Sequence, residues 1–266
     1  MKRKTIKING LNVSYLDNEK EGETLICLHG HFGTASMFRF VESFFDGRII
    51  LPDLRGHGFS DSADSYSRKN YIEDLKGVID GLNIVNPILL GHSLGGVNAY
   101  QYAAIYNNVK MIIVEDIGTE ISSSNEFIAD FPLYFDTVWD LNQAFLKQNR
   151  PLSTYFMESL DYDGLKWKFR FSYQDMVQSQ NELNGNYWND WENIQCPILL
   201  QHGAKSWACK TENMKEMAVR NKNVTLKIYE NAGHAIHDDE RKQFCEDVIE
   251  FINKNNLNYG KNTHAI

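Results

Sequence analysis

Residues 85–106 constrain the fold more than any other stretch of the chain. Ile88-Leu89-Leu90 reads as a short buried strand, and the run from Val97 to Tyr106 as a helix rich in small residues. Between them stands Gly91-His92-Ser93-Leu94-Gly95-Gly96. A serine therefore occupies the tight turn between a strand and a helix, in the Gly-x-Ser-x-Gly spacing of a nucleophile elbow. The spacing has a steric origin: the serine backbone is strained, and a side chain two residues to either side would strike the neighbouring strand or helix. The helix N-terminus then points free N–H groups at any negative charge that forms beside the serine. The pattern alone recurs by chance in Gly/Ser-rich loops; the strand–turn–helix setting is what gives it weight.

The same alternation extends along the chain. Residues 4–8 and 12–16 read as two strands around a turn at Asn9-Gly10. Compact apolar runs at 24–28, 48–51, 110–115 and 196–201 read as buried strands, and 224–229 as a last, alternating one. Helices are expected over 35–44 and over 67–82, where Tyr71, Leu75, Val78, Ile79 and Leu82 recur at helical spacing. A closing helix is expected over 238–252, with an acidic first turn that suits its dipole. Strands alternating with helices imply a mostly parallel sheet covered on both faces. Residues 255–266 are polar and expected to fray.

One region breaks the rhythm. Residues 121–191 hold 16 of the chain's 33 aromatics, about half of them in a quarter of the length. This reads as a helical lid inserted between two sheet strands, which divides the chain into a core of 1–117 and 192–266 and a lid of 118–191. A lid over the elbow would exclude water and form an apolar pocket. Taken singly, most of these aromatics are expected to pack the lid's own small core.

Composition narrows the function classes. A formal net charge of −8 with no Lys/Arg-rich run argues against a nucleic-acid partner. No stretch approaches a membrane span, and the basic N-terminus lacks the apolar region of a signal peptide. The four cysteines, Cys27, Cys196, Cys209 and Cys245, form no C-x-x-C pair and are expected as reduced thiols of a cytoplasmic protein.

Four motifs in order carry a resemblance: His29-Gly30-His31-Phe32-Gly33, Pro52-Asp53-Leu54-Arg55-Gly56-His57-Gly58-Phe59-Ser60, Gly91-His92-Ser93-Leu94-Gly95-Gly96 and Asn231-Ala232-Gly233-His234-Ala235-Ile236-His237. Over nearly its whole length the chain resembles the α/β-hydrolase family, and within it the lidded esterase, lactonase and haloperoxidase-like group. The resemblance implies a mostly parallel eight-stranded sheet flanked by helices, with the lid inserted. Dehalogenases and epoxide hydrolases of the same group carry an aspartate nucleophile, against which Ser93 argues.

The resemblance also implies the site. Ser93 is the expected nucleophile and His234, after the last strand, its base; His237 is expected to be structural. The commoner position for the acid falls on Ser206, which cannot supply a charge. The family's alternative position, after the strand that follows the nucleophile helix, falls on Asp116, with Glu115 and Glu120 as rivals. Neighbouring strand residues face opposite sides, so only one of Glu115 and Asp116 can point at the site. The oxyanion hole is expected from the N–H groups of Leu94 and His31, with Phe32 as the nearby alternative. Asp53, Arg55 and His57 recur in the family as a set that stabilises a loop. No metal and no cofactor are expected: His29-x-His31 lacks a following ligand pair, and the hydrolase motifs already account for it. The activity expected is hydrolysis of a small carboxylic ester or lactone with an apolar portion. The fold also hosts thioester and C–C hydrolysis, perhydrolysis, an elimination step in quinone biosynthesis, and binding or signalling proteins that barely turn over.

Overall fold

The computed structural model describes residues 1–150 and 152–262, and of 257–262 the backbone alone. β1 (Lys2–Ile8) and β2 (Leu11–Asp17) form an antiparallel hairpin. Its turn, Asn9-Gly10, has positive φ at both residues (50° and 89°), which Asn and Gly tolerate best. There follow β3 (Thr24–Leu28), β4 (Arg48–Pro52), α1 (Arg68–Gly81), β5 (Ile88–His92), α2 (Leu94–Tyr106) and β6 (Met111–Glu115). The next segment holds β7 (Glu120–Ile121), α3 (Val138–Lys147), α4 (Thr154–Met157), β8 (Leu160–Tyr162), β9 (Trp167–Phe169), α5 (Tyr173–Leu183), β10 (Gly185–Asn186) and α6 (Trp188–Glu192). The chain closes with β11 (Ile198–Gly203), α7 (Thr211–Arg220), β12 (Val224–Tyr229), α8 (Ile236–Asp239) and α9 (Arg241–Asn262).

Eight strands make one sheet in the order β1-β2-β4-β3-β5-β6-β11-β12, and only β2 runs against the rest. Alternate residues of each central strand enter different cores. Ile26, Leu89, Ile112 and Leu200 pack under α1, α2, α6 and α7. Leu25, Leu90, Ile113 and Leu199 pack under the 35–43 segment and α9. A sheet buried on both faces needs such continuous apolar strands. Among the described residues, no helix is long and apolar enough to cross a membrane.

Several expectations are corrected. The 35–44 helix is a 3-10 helix, Ala35–Ser43, with Thr34 Oγ1 accepting from Ser36 N. Apolar spacing does not separate the two helix types, because residues three apart share a face in both. The strand expected at 196–201 runs Ile198–Gly203, and β12 is half-buried along most of its length rather than alternating. The expected 238–252 helix breaks at Glu240, where φ is −130° and ψ 47°. Asp238 and Asp239 fall in the first turn of α8 instead. Asp239 accepts from Gly233 N at 2.7 Å and Glu240 from Asn231 N at 3.0 Å, which ties down the loop that carries His234. The backbone from 255 onward does not fray but continues α9 to Asn262; 263–266 lie outside the described residues.

The segment between β6 and β11 is not purely helical. It contains two short antiparallel ladders, β7 with β10 and β8 with β9. Periodicity over two or three residues is invisible in a sequence. Many of its aromatics do pack on one another: Phe131, Phe135, Phe145, Phe169 and Phe171 form a core of their own, joined from the sheet side by Phe32. Trp188 and Trp191 instead join the main core beside α2.

The elbow glycines are explained by close backbone approach. A Cβ on Gly95 would press on the carbonyls of Leu28 and His29, and one on Gly91 would press on the backbone of Gly95 and Gly96. Neither neighbour is a side chain that can swing away. Gly95→Ala is therefore expected to lower the unfolding free energy by about 1–3 kcal/mol, measured by urea denaturation; a change under a few tenths would show that α2 does not cross β3 this tightly.

Candidate active site

Strand register brings the motif residues level. His92 pairs with Glu115, and Glu115 with Gln201. The next residue of each strand pair, Ser93, Asp116 and His202, therefore emerges at the same C-terminal edge of the sheet. Ser93 N donates to Glu115 O at 3.0 Å, and Asp116 N to Gln201 O at 2.8 Å. Both residues turn the chain sharply, with φ of 52° at Ser93 and 49° at Asp116. Phe32, in the loop after β3, has φ 66°. Such conformations cost roughly 1–3 kcal/mol each in non-glycine residues and persist only where surrounding contacts hold them.

Of the three candidate acids, only Asp116 reaches His234. His234 Nδ1–H donates to Asp116 Oδ2 at 2.7 Å. Glu115, one residue earlier, faces the other way and takes His237 Nδ1–H at 2.8 Å and the His237 backbone N–H at 2.9 Å. Glu120 lies at the foot of the β6–β11 segment, where it accepts from Trp188 Nε1 at 2.9 Å. The Asp116 carboxylate collects further donors from the end of β11 and the loop after it: His202 Nδ1–H at 2.8 Å, Gly203 N–H at 3.1 Å, Cys209 Sγ–H at 3.5 Å and Ser206 Oγ–H. Burial pushes its pKa up, but the hydrogen bonds from His202 and His234 and the charge of His234 outweigh that and hold it well below the usual carboxylate range. Asp116 is a fully buried anion.

Three other imidazoles around the elbow are held by neighbours. His92, between the elbow glycine and Ser93, donates from Nε2 to His234 O at 2.9 Å. Its Nδ1 is then the acceptor, and Tyr155 O–H from α4 donates to it at 3.2 Å. Burial lowers the His92 pKa to about 3, so the ring is neutral. His29 donates from Nδ1 to Gly30 O at 2.8 Å and accepts from Leu54 N at 3.0 Å. The side chain of His31 pairs through Nε2 with Ser179 Oγ of α5 at 2.8 Å. The N–H of Leu94, first residue of α2, and that of His31 have no acceptor among the described residues. Asp53 accepts from Ala35 N at 2.8 Å and Phe59 N at 3.2 Å, and Arg55 pairs with Asp74 at 2.7 Å, which braces the loop after β4.

The sequence model of the Alpha/beta hydrolase family matches residues 25–247. The chain belongs to that family. A 3-hydroxybutyrate-oligomer hydrolase of Cupriavidus necator is 27% identical over 79% of this chain and 82% of its own. A proline iminopeptidase of Pestalotiopsis fici is 25% identical over 94% and 99%. Among solved structures, an E-2-(acetamidomethylene)succinate hydrolase superposes with a TM-score of 0.85 at 19% identity, over 95% of this chain and 99% of the other. The last likeness shows the fold alone.

Three features of this hydrolase were not read from the motifs. Ser206, on which the commoner acid position falls, donates a hydrogen bond to Asp116. His202 bridges Asp116 to Thr211 Oγ1, 2.9 Å from its Nε2. Trp207, three-quarters exposed, lies with its ring centroid 4.9 Å from that of His234. His202 stands at the end of β11 and the other two in the loop after it; His202-Gly203 ahead of Ser206 was the available signal. Asp116, His202 and Cys209 also place three potential metal-ligand atoms within 4.8 Å of one another. Each of those atoms already takes part in the hydrogen bonds around Asp116.

The Glu115–His237 pair sets a pH window for stability. Burial raises the Glu115 pKa, but His237 more than offsets this and the net shift is downward. Burial lowers that of His237, but Glu115 more than offsets this and the net shift is upward. A depressed carboxylate stabilises the fold above its unfolded pKa of about 4.3, and a raised histidine does so below its unfolded pKa of about 6.5. The pair therefore contributes most between those values and less as pH rises through the raised His237 value. Glu115→Gln is expected to cost about 3–5 kcal/mol near pH 5.5 and distinctly less at pH 9, by denaturant unfolding at both pH values; an equal cost would mean that His237 carries no charge in the fold.

Proposed function

We propose that the protein is a serine hydrolase of carboxylic esters or lactones with an apolar portion, working through an acyl-enzyme. The observation that carries this reading is the 2.7 Å bond from His234 Nδ1 to Asp116, at the sheet edge that also holds Ser93. With Nδ1 on Asp116, Nε2 is the nitrogen left to take a proton. Ser93 Oγ attacks the carbonyl carbon, and His234 Nε2 accepts its proton. Among the described residues no hydrogen bond joins Ser93 Oγ to His234; in such sites that contact forms as substrate binds. Asp116, already ionised, stabilises the imidazolium that forms. The N–H groups of Leu94 and His31 hold the oxyanion. The tetrahedral intermediate collapses, His234 returns the proton to the leaving alcohol, and water then attacks the acyl-enzyme with His234 as base again. With a lactone the alcohol stays tethered to the acyl group.

The segment 118–191 acts as the lid. Ser159 Oγ donates to Phe32 O, and Tyr155 reaches His92 beside Ser93, so its contacts close over the elbow. The hydrolase of hydroxybutyrate oligomers among the relatives supports an ester as the bond cleaved.

Hydrolysis of p-nitrophenyl butyrate tests the reading. Ser93→Ala and His234→Ala are expected to lower kcat by about 10⁶-fold, and Asp116→Asn by about 10⁴-fold. Wild-type turnover that survives Ser93→Ala would remove the nucleophile assignment. Ser206→Asp places a second carboxylate against Asp116, where the two cannot both ionise. It is expected to lower kcat/KM; a gain, above all one that rescues Asp116→Asn, would move the acid role to position 206.

A further inference from the structure

From α4, Tyr155 reaches down to the sheet edge. No residue of α4 is buried, so this short helix is not seated by a core of its own. The Tyr155 ring is half-buried and packs both on the cluster under the 35–43 segment and on the aromatic core of the β6–β11 segment. Its hydroxyl lies against the glycines of His29-Gly30-His31-Phe32-Gly33. A Cβ on Gly30 would strike the hydroxyl oxygen and would stand 3.0 Å from Ser93 Cβ and 3.1 Å from His92 Nδ1. One on Gly33 would come within 3.1 Å of the same oxygen. The two glycines therefore leave open the space that the hydroxyl occupies, next to the elbow serine.

Chemistry fixes the protons along this line. His234 O can only accept, so the His92 nitrogen 2.9 Å from it, Nε2, carries a proton. Burial lowers the His92 pKa to about 3, so the ring is neutral and Nδ1 holds a lone pair. The hydroxyl 3.2 Å away is then the donor. Burial also pushes the Tyr155 pKa well up, which keeps that proton in place. Two bonds thus run from Tyr155 through His92 to the backbone of the proposed base. Which nitrogen of a neutral imidazole is protonated depends on what the other one bonds. The opposite tautomer would turn a lone pair on His234 O and lose its hold there.

We propose that Tyr155 is a positioning residue: its hydroxyl holds His92 in the tautomer that grips the His234 loop, so the base is set when α4 is seated on the elbow. The proposal rests on the hydrolase reading above and adds to it a residue that acts through another and touches no reacting atom. Tyr155 works on both halves of the site. It fills the space between Gly30 and Gly33, which flank His31 of the proposed oxyanion hole, and it orders His92, which precedes Ser93. Two neighbouring bonds also hold this stretch down: Thr154 Oγ1–H donates to Asp238 Oδ2 at 2.6 Å, and Ser159 Oγ–H to Phe32 O. Neither reaches His92, so neither can set its tautomer.

The test removes the hydroxyl and keeps the ring. With p-nitrophenyl butyrate, Tyr155→Phe is expected to lower kcat roughly 3–10-fold, the effect of one hydrogen bond, with KM nearly unchanged. An unchanged kcat overturns the role; so does a change confined to KM, which would make Tyr155 a substrate contact instead. The imidazole nitrogens separate positioning from packing. In nitrogen-15-labelled wild type near neutral pH, His92 is expected to carry its proton on Nε2 and to show a hydrogen-bonded Nδ1. Tyr155→Phe is expected to move the His92 Nδ1 signal and, with it, the ring signals of His234. Unmoved signals overturn the relay whatever the activity. Thr154→Ala, which cuts the neighbouring bond to Asp238, is expected to leave both rings as they are; equal movement there would assign the effect to the seating of α4 alone and overturn the part given to the hydroxyl. Signals that move in Tyr155→Phe of a protein whose wild type turns over no ester would keep the relay and sink the hydrolase reading alone.

Discussion

One buried carboxylate organises the C-terminal edge of the sheet. Asp116 accepts from His234, His202, Gly203, Ser206 and Cys209, and these donors come from the end of β11 and the loops after β11 and β12. The charge would be costly to bury alone; with this set it is held as an anion. The arrangement works in both directions. The donors keep Asp116 ionised, and Asp116 fixes the loops that supply them, including the one that presents Trp207 to His234. The strained φ values at Ser93 and Asp116 survive because each backbone N–H is bonded to the neighbouring strand.

The edge is also crowded with histidines whose charge states differ by design of their surroundings. Burial lowers the pKa of His29 to about 4 and that of His57 and His92 to about 3. Such groups bind protons more readily unfolded than folded, so they remove stability as pH falls below about 6.5. His237 has the opposite sign, because Glu115 outweighs its burial. Two imidazoles with ring centroids 5.2 Å apart, His92 and His237, therefore respond oppositely to acid.

Legibility in the sequence followed range. Ser93 and His234 lie in short motifs whose spacing is imposed by local sterics, and the strand–helix alternation is equally local. Asp116 was reachable because Ser206 cannot carry a charge. That Ser206 would instead donate to Asp116 was not legible, since the two lie 90 positions apart and meet only through the pairing of β6 with β11. The break at Glu240 had the same cause: an apolar pattern predicts a continuous helix, and the pull of Asn231 and Gly233 on the acidic residues is tertiary.

The two-residue ladder of β7 with β10 has a consequence for how such a chain can change. Ile121 pairs with Gly185 and Glu120 with Asn186, so the long excursion leaves and re-enters the sheet framework through a closed neck. Immediately after the neck, α6 packs on α2 and completes the crossover from β6 to β11, the task a short helix would perform in a plain parallel sheet. Beyond the neck the segment also touches the sheet edge, through Ser179 on His31, Ser159 on Phe32 and Tyr155 on His92. Lengthening, shortening or exchanging it leaves strand order and register untouched, but a replacement has to remake those three contacts.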